Sequence, residues 1–177
     1  MPLDLKALVR TIPDYPKKGI LFRDITTLIE DPEGFKDSVE RIASQYRGQG
    51  ITHVAGIEAR GFIFGAAVAH ALGVGLVLIR KDGKLPGVTV GIDYALEYGE
   101  DRVEMHEDAL VPGARVLLVD DLIATGGTAA AAIRLVEKAG GKVVAASFVI
   151  DLPDLGGKAR IAAEGVTARS LVAFAGE

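Results

Sequence analysis

Two rhythms of apolar residues alternate along the chain. In EGFKDSVERIASQY, Phe35, Val39, Ile42 and Tyr46 recur at alternating intervals of four and three residues, which predicts an amphipathic helix. Asp31-Pro32 ahead of it suits a first helical turn. ITHVAGIE, VGLVLI, VLLVD and KVVAASFVID are short apolar runs bounded by turn residues, and they predict strands. VGLVLI and VLLVD are unbroken, which predicts cover on both faces. GFIFGAAVAHALG, stopped by Gly73, predicts a buried helix, and TAAAAIRLVEKAGG predicts another with a glycine stop.

LDLKALVRTI has the spacing of a short helix, after which Pro13, Pro16 and Gly19 predict an irregular path. Residues 81–101 form an excursion rich in Gly, Lys and acids, with a short strand near VTVGIDYAL and a return through RVEMHEDAL. VTARSLVAF supplies a last short strand. Strands alternating with helices predict an α/β fold, a central mostly parallel sheet flanked by helices. A length of 177 residues suits one domain spanning 1–177, without linker, repeat or low-complexity segment.

Composition narrows the chemistry. The net charge of −4 gives no global basic field for nucleic acid, so any phosphate affinity must be local. The absence of cysteine excludes disulfides, thiolate catalysis and cysteine-bound metals, and fits a cytoplasmic location. Asp4 and Lys6 interrupt the N-terminal apolar segment, unlike a secretory signal. No uncharged run approaches the roughly 20 residues needed to span a bilayer, so no membrane role is expected.

The densest chemistry lies in VLLVDDLIATGGT, residues 116–128. In a parallel sheet, ligands bind beyond the carboxyl ends of strands, which is where Asp120 and Asp121 are expected. Ala124, Thr125, Gly126, Gly127 and Thr128 then form the turn into a helix. Glycines let backbone N–H groups approach a ligand, and a helix N-terminus adds positive charge, so the turn suits a phosphate monoester. Paired carboxylates would repel a second phosphate but accept hydrogen bonds from vicinal hydroxyls. A ribose 5-phosphate satisfies both halves. An ordinary strand–turn–helix with a solvated acidic end would need only part of this pattern.

This stretch resembles the 5-phosphoribosyl 1-pyrophosphate (PRPP) motif of the type I phosphoribosyltransferase family. DYPKKGILFRDITTLIEDPEGF, GIEARGFIFG, IRKDGKLPG and YALEYG extend the resemblance, in order and over nearly the whole chain, to its adenine-using members. The resemblance implies condensation of adenine with PRPP, aided by Mg²⁺ bound through the substrate, to give AMP and pyrophosphate. It also implies a homodimer, a small N-terminal hood within residues 1–30 that helps bind the base, and a flexible catalytic loop.

Residue roles follow from the same resemblance. Glu58, Ala59 and Arg60 match the pyrophosphate loop, although the family often carries Asp-Ser before this Arg-Gly. Arg60 can also fork onto phosphate oxygens by its own chemistry. Arg80, Lys81 and Lys84 cluster after VGLVLI and would screen charge on departing pyrophosphate; by themselves they could equally be a solvated basic loop. Glu97 matches a catalytic-loop glutamate that exchanges a proton with the purine, and Tyr98 belongs to the same loop. Leu21, Phe22 and Arg23 match adenine-contacting positions, with Leu152 on the other face, although plain core packing would also explain the leucines.

No P-loop or dinucleotide fingerprint is present, and His53, His70 and His106 lack metal-site spacing. His70, on the helix expected to be buried, reads as structural. Two alternatives stay open at this point: transfer to another purine such as xanthine or hypoxanthine, or a non-catalytic PRPP-sensing regulator.

Overall fold

A computed structural model describes residues 1–176. It consists of a seven-stranded sheet and a two-stranded one, with helices packed around the larger. In chain order the elements are β1 (Arg10–Pro13), β2 (Leu21–Asp24), α1 (Thr26–Glu30), α2 (Pro32–Ser44), β3 (His53–Ile57), α3 (Arg60–Leu72), β4 (Gly75–Lys81), β5 (Thr89–Ala95), β6 (Glu100–His106), β7 (Arg115–Ile123), α4 (Gly127–Lys138), β8 (Lys142–Asp151), α5 (Gly157–Ala163) and β9 (Ala168–Ala173).

The strand order is β5-β6-β4-β3-β7-β8-β9. Strands β4, β3, β7, β8 and β9 run parallel, and the β5–β6 hairpin joins antiparallel at one edge. The chain winds from β3 through α3 to β4 on one side, and from β7 through α4 to β8 on the other. The winding therefore reverses between β3 and β7, and in such sheets a crevice opens at the carboxyl ends of those two strands.

The local reasons follow the sequence closely. Asp31 caps α2 by accepting from the Gly34 N–H at 2.7 Å, and Pro32 opens the helix. Gly73 ends α3 with a left-handed φ of 70°. Val116, Leu117, Leu118 and Val119 of β7 are completely buried. Burying four such side chains contributes roughly 6–12 kcal/mol. That is enough to hold a strand whose far end carries two adjacent carboxyl groups.

Three expectations need correction. The N-terminal segment is not a helix followed by an irregular path. A short 3-10 turn over Leu5–Leu8 leads into β1, which pairs antiparallel with β2. The prolines are accommodated because Pro13 lies in this two-stranded ribbon and the turn uses Asp14 at φ 58°. Strand β4 is covered on one face only, since Leu78 keeps 38% exposure. Helix α3 is likewise half open, with Ile63 at 37% and His70 exposed, so His70 is not a core residue. Helices α1 and α5 carry no clear sequence signal, being only 5 and 7 residues long.

Candidate active site

Strand β7 outruns β3. Their pairing ends at Gly56–Val119, while β7 continues along β8 to Ile123–Asp151. Asp120 and Asp121 thus occupy the part of β7 whose β3 side is vacated. After β3 the chain turns away through a cis Glu58–Ala59 peptide, and the Glu58 N–H donates to the Ile79 carbonyl of β4 at 2.9 Å.

A cavity of 210 Å³ fills this opening. Its walls are Glu58, Lys81, Asp120, Leu122 and the continuous loop Ala124, Thr125, Gly126, Gly127 and Thr128. Gly126 has φ 82°, and α4 starts directly after it with no side-chain cap and no acid in its first turn. The first N–H groups of α4 therefore lack protein partners, and the helix end keeps its positive charge. The local arrangement is that of an anion cradle.

The two carboxyl groups are not equivalent, because successive strand residues face opposite sides. Asp120 lines the cavity, and its carboxyl also accepts the Asp121 N–H at 2.8 Å. Burial and the Asp121 carboxylate push the Asp120 pKa well above the ordinary range. Asp121 is 5% exposed and accepts Arg60 Nε at 2.5 Å. Burial opposes the charge of Arg60, but Asp121, Asp120 and Asp24 outweigh it and raise the guanidinium pKa.

Asp24 is a member of the cluster that spacing did not reveal. It is buried at the end of β2, 2.5 Å from Arg10 Nη2 and 2.7 Å from the Thr26 hydroxyl. Burial raises its pKa, yet the Thr26 N–H and hydroxyl and the Arg10 guanidinium together hold it below the ordinary value. Arg60 also lies over the Phe22 ring, 5.7 Å from its centroid, which ties the N-terminal ribbon to the crevice.

The other cations are each held by a carboxylate. Arg80 Nε donates to Glu58 Oε1 at 2.9 Å and Arg80 Nη1 to the Lys84 carbonyl at 3.3 Å. Lys81 donates to Asp101 and to the Tyr94 hydroxyl, the latter at 2.7 Å. Burial disfavours the Lys81 charge, but these two partners prevail and raise its pKa. The Tyr94 hydroxyl is also 3.0 Å from Thr128 Oγ1, so the hairpin and the anion loop are physically linked. The Lys84 side chain is exposed and lines neither this cavity nor the next one.

Glu97 and Tyr98 sit at the exposed tip of the β5–β6 hairpin, Tyr98 at 85% exposure. With Leu96 they form one wall of an 800 Å³ cleft whose other walls are Thr125, Gly127, Thr128 and Arg160. Sequence reasoning does not single out Arg160. Its only signal is a second Gly-Gly pair, Gly156-Gly157, running into a helix.

The base-binding candidates are not gathered into either cavity. Leu21 is 38% exposed and Leu152 is buried in the core that contains Phe174. Arg23 donates to the Thr11 hydroxyl at 2.6 Å and lies over the Phe174 ring at 4.5 Å. The Leu152 N–H bonds the Ile123 carbonyl at 3.0 Å, which sets Leu152 beside the end of β7.

Gly61 locks the acid pair in place. A Cβ there would meet Asp120 Oδ1 at 2.8 Å and the Val119 carbonyl at 3.1 Å. Helix propensity alone would favour alanine by about 1 kcal/mol. The clash wins, and Gly61→Ala is expected to lose about 1–3 kcal/mol of stability in a thermal melt. A melt unchanged or improved would show that Asp120 can shift freely.

Residues 26–167 match the family described as "Phosphoribosyl transferase domain". A relative named adenine phosphoribosyltransferase from Parvibaculum lavamentivorans is 60% identical over 174 residues, covering 98% of this chain and 99% of its own. The crystal structure of adenine phosphoribosyltransferase from Thermoanaerobacter pseudethanolicus aligns with a TM-score of 0.91 at 46% identity, over 96% of this chain and 98% of the other. The enzyme from Giardia lamblia, complexed with 9-deazaadenine, gives a TM-score of 0.91 at 38% identity over 97% and 96% of the two chains. Sheet order, anion loop and near-complete coverage agree, and the chain belongs to the phosphoribosyltransferase family, among the adenine phosphoribosyltransferases.

Proposed function

We infer that the chain transfers the 5-phosphoribosyl group of PRPP to adenine, forming AMP and pyrophosphate. The observation that carries this reading is one cavity walled by Asp120, Thr125–Thr128, Glu58 and Lys81, where an acceptor for sugar hydroxyls meets an anion loop. The 5′-phosphate takes the unpaired N–H groups opening α4 and the Thr125 and Thr128 hydroxyls. Asp120 and Asp121 hold the ribose hydroxyls and favour positive charge developing on the ring.

Arg60, Arg80, Lys81 and Lys84, with the Glu58–Ala59 backbone, receive the pyrophosphate. The first three are already aimed by Asp121, Glu58 and Asp101. Adenine lies against Leu21, Phe22 and Arg23 of the hood (residues 1–30), with Leu152 on its other side. As N9 attacks the anomeric carbon and the bond to pyrophosphate breaks, Glu97 exchanges a proton with the purine ring. Tyr98 and the hairpin tip close over the centre and exclude water, which would otherwise intercept the activated sugar.

Mg²⁺ fits this donor set as a passenger of PRPP. Asp121 is committed to Arg60, and Asp120 is pushed toward its protonated form, so neither is a good hard-cation ligand. Ribose hydroxyls and pyrophosphate oxygens would hold the ion, and it would neutralise charge on the leaving group. Ile63 and Leu78, exposed on the adjoining α3 and β4, support a homodimer. The lack of cysteine supports a cytoplasmic setting. No helix among the described residues is long and apolar enough to cross a membrane.

The reaction is tested by supplying PRPP and Mg²⁺ with adenine, hypoxanthine, guanine or xanthine in competition and identifying products. AMP with stoichiometric pyrophosphate is expected from adenine alone; preference for a 6-oxopurine would overturn the assignment. Glu97→Gln is expected to lower kcat about a hundredfold while leaving PRPP binding intact. An undiminished kcat would remove Glu97 from the chemistry.

A further inference from the structure

Helix α5 is packed directly on the anion loop. A Cβ on Gly126 would meet the Gly157 carbonyl oxygen at 2.8 Å, and one on Gly157 would meet the Ala124 carbonyl oxygen at 2.5 Å. The two backbones are thus in contact with no side chain between them. Lys158 then pins α5 to the sheet, with Nζ 3.2 Å from Asp151 Oδ2 and 2.8 Å from the Ser170 hydroxyl. With α5 held at both points, Arg160 projects back over the start of α4. Its Nη1 lies 3.3 Å from where a Cβ of Gly127 would be.

This guanidinium is unusual for its surroundings. Other cations nearby are matched, Lys158 by Asp151 and Arg134 by Glu164. Among the described residues Arg160 has no ion-pair or hydrogen-bond partner for its side chain. It stands instead at the positive end of α4, where a second positive charge is unfavourable. The placement becomes favourable once an anion sits between the two. Arg160 also walls the cleft that holds Thr125, Gly127 and Thr128.

We propose that Arg160 is a further substrate-binding residue, whose guanidinium grips the outer oxygens of the 5′-phosphate and completes the cradle made by Thr125–Thr128. This rests on the reading of that loop as the phosphate site. Arginine is chemically suited to such a grip, because its planar fork bonds two phosphate oxygens at once and it stays charged at any working pH. The loop contributes N–H groups from beneath, and Arg160 contributes donors from the solvent side.

Titration calorimetry with AMP and with adenosine, on the full chain and on Arg160→Ala, Arg160→Gln and Arg160→Lys, tests the proposal. Arg160 is exposed and unpaired, so thermal melts of the variants are expected to match the parent. Loss of one charged hydrogen-bonding group predicts AMP binding weakened about tenfold to a hundredfold in the Ala and Gln variants, with adenosine binding unchanged. Arg160→Lys should recover part of the loss. In kinetics, KM for PRPP should rise while kcat changes little.

AMP binding as tight in Arg160→Ala and Arg160→Gln as in the parent would overturn the proposal. So would equal weakening of AMP and adenosine, which would mark Arg160 as a support for the loop. If the parent chain itself does not prefer AMP to adenosine, the phosphate-loop reading fails first, and that result is distinguishable from the other two.

Discussion

A chain carrying Asp120→Asn and Asp121→Asn together is expected to fold and to use PRPP about ten-thousandfold more slowly. The basis is the position of both acids beyond the last β3 pairing, where Asp120 faces the cavity and Asp121 fixes Arg60 at 2.5 Å. Removing one preorganised electrostatic group from a reacting centre typically costs a hundredfold to a thousandfold, about 2.7–4 kcal/mol. Two such losses compound here, because one change removes charge facing the sugar and the other removes the anchor of a cation. Steady-state kinetics with varied PRPP checks the result. Near-normal turnover in a folded double variant would refute the site assignment.

The single Asp120→Asn change carries an opposite expectation for stability. Burial and the neighbouring Asp121 carboxylate raise the Asp120 pKa in the folded chain. A raised acid binds its proton more tightly when folded, so this group costs stability as pH climbs above the ordinary value of 3.8. Asparagine removes that cost. The variant should therefore melt higher than the parent at neutral pH, with the difference narrowing as the pH falls toward 3.8. Activity and stability would then move in opposite directions at one atom position, as expected for a site held against its own preference.

Gly126→Ala is the second large effect. Two separate costs meet at this residue. Its φ of 82° is a left-handed conformation, which a Cβ disfavours by roughly 1–2 kcal/mol. The same Cβ would also lie 2.8 Å from the Gly157 carbonyl oxygen and 3.0 Å from Gly157 Cα. Neither neighbour is a flexible side chain, so the loop itself must move. Losing two hydrogen bonds to a charged phosphate, at about 1.5–3 kcal/mol each, lowers kcat/KM for PRPP about a thousandfold. A lowered melting midpoint should accompany it.

Gly127→Ala is the control. A Cβ there meets first the movable Arg160 guanidinium, at 3.3 Å, and the position is already the first residue of α4. The fold should tolerate it. If both alanine variants keep full PRPP use, the loop does not need the conformation described.

The contrast between these neighbours shows what a sequence carries. In ATGGT the two glycines are indistinguishable, and both predict a tight turn ahead of a helix. Only the approach of α5 makes one of them irreplaceable. Likewise, Asp120 and Asp121 read as a matched pair, but strand alternation sends one to the cavity and the other to Arg60. The N-terminal ribbon reads as irregular because Pro13, Pro16 and Gly19 are local breakers. The pairing of β1 with β2 that overrides them is a contact across the turn.

Taken alone, the order of residues determined the α/β class, most strands and the longer helices, the anion loop, and the family. Those features are written within short windows, as the period of apolar positions, the turn residues at element ends, and motifs whose spacing survives in any context. The tertiary structure decided the rest: the reversal of winding between β3 and β7, the open faces of α3 and β4, the carboxylate that holds each cation, and the placing of Arg160 over the loop. Each of these depends on which distant segments pack together. Residues far apart in the chain meet through burial and backbone approach, and no local pattern encodes the partner.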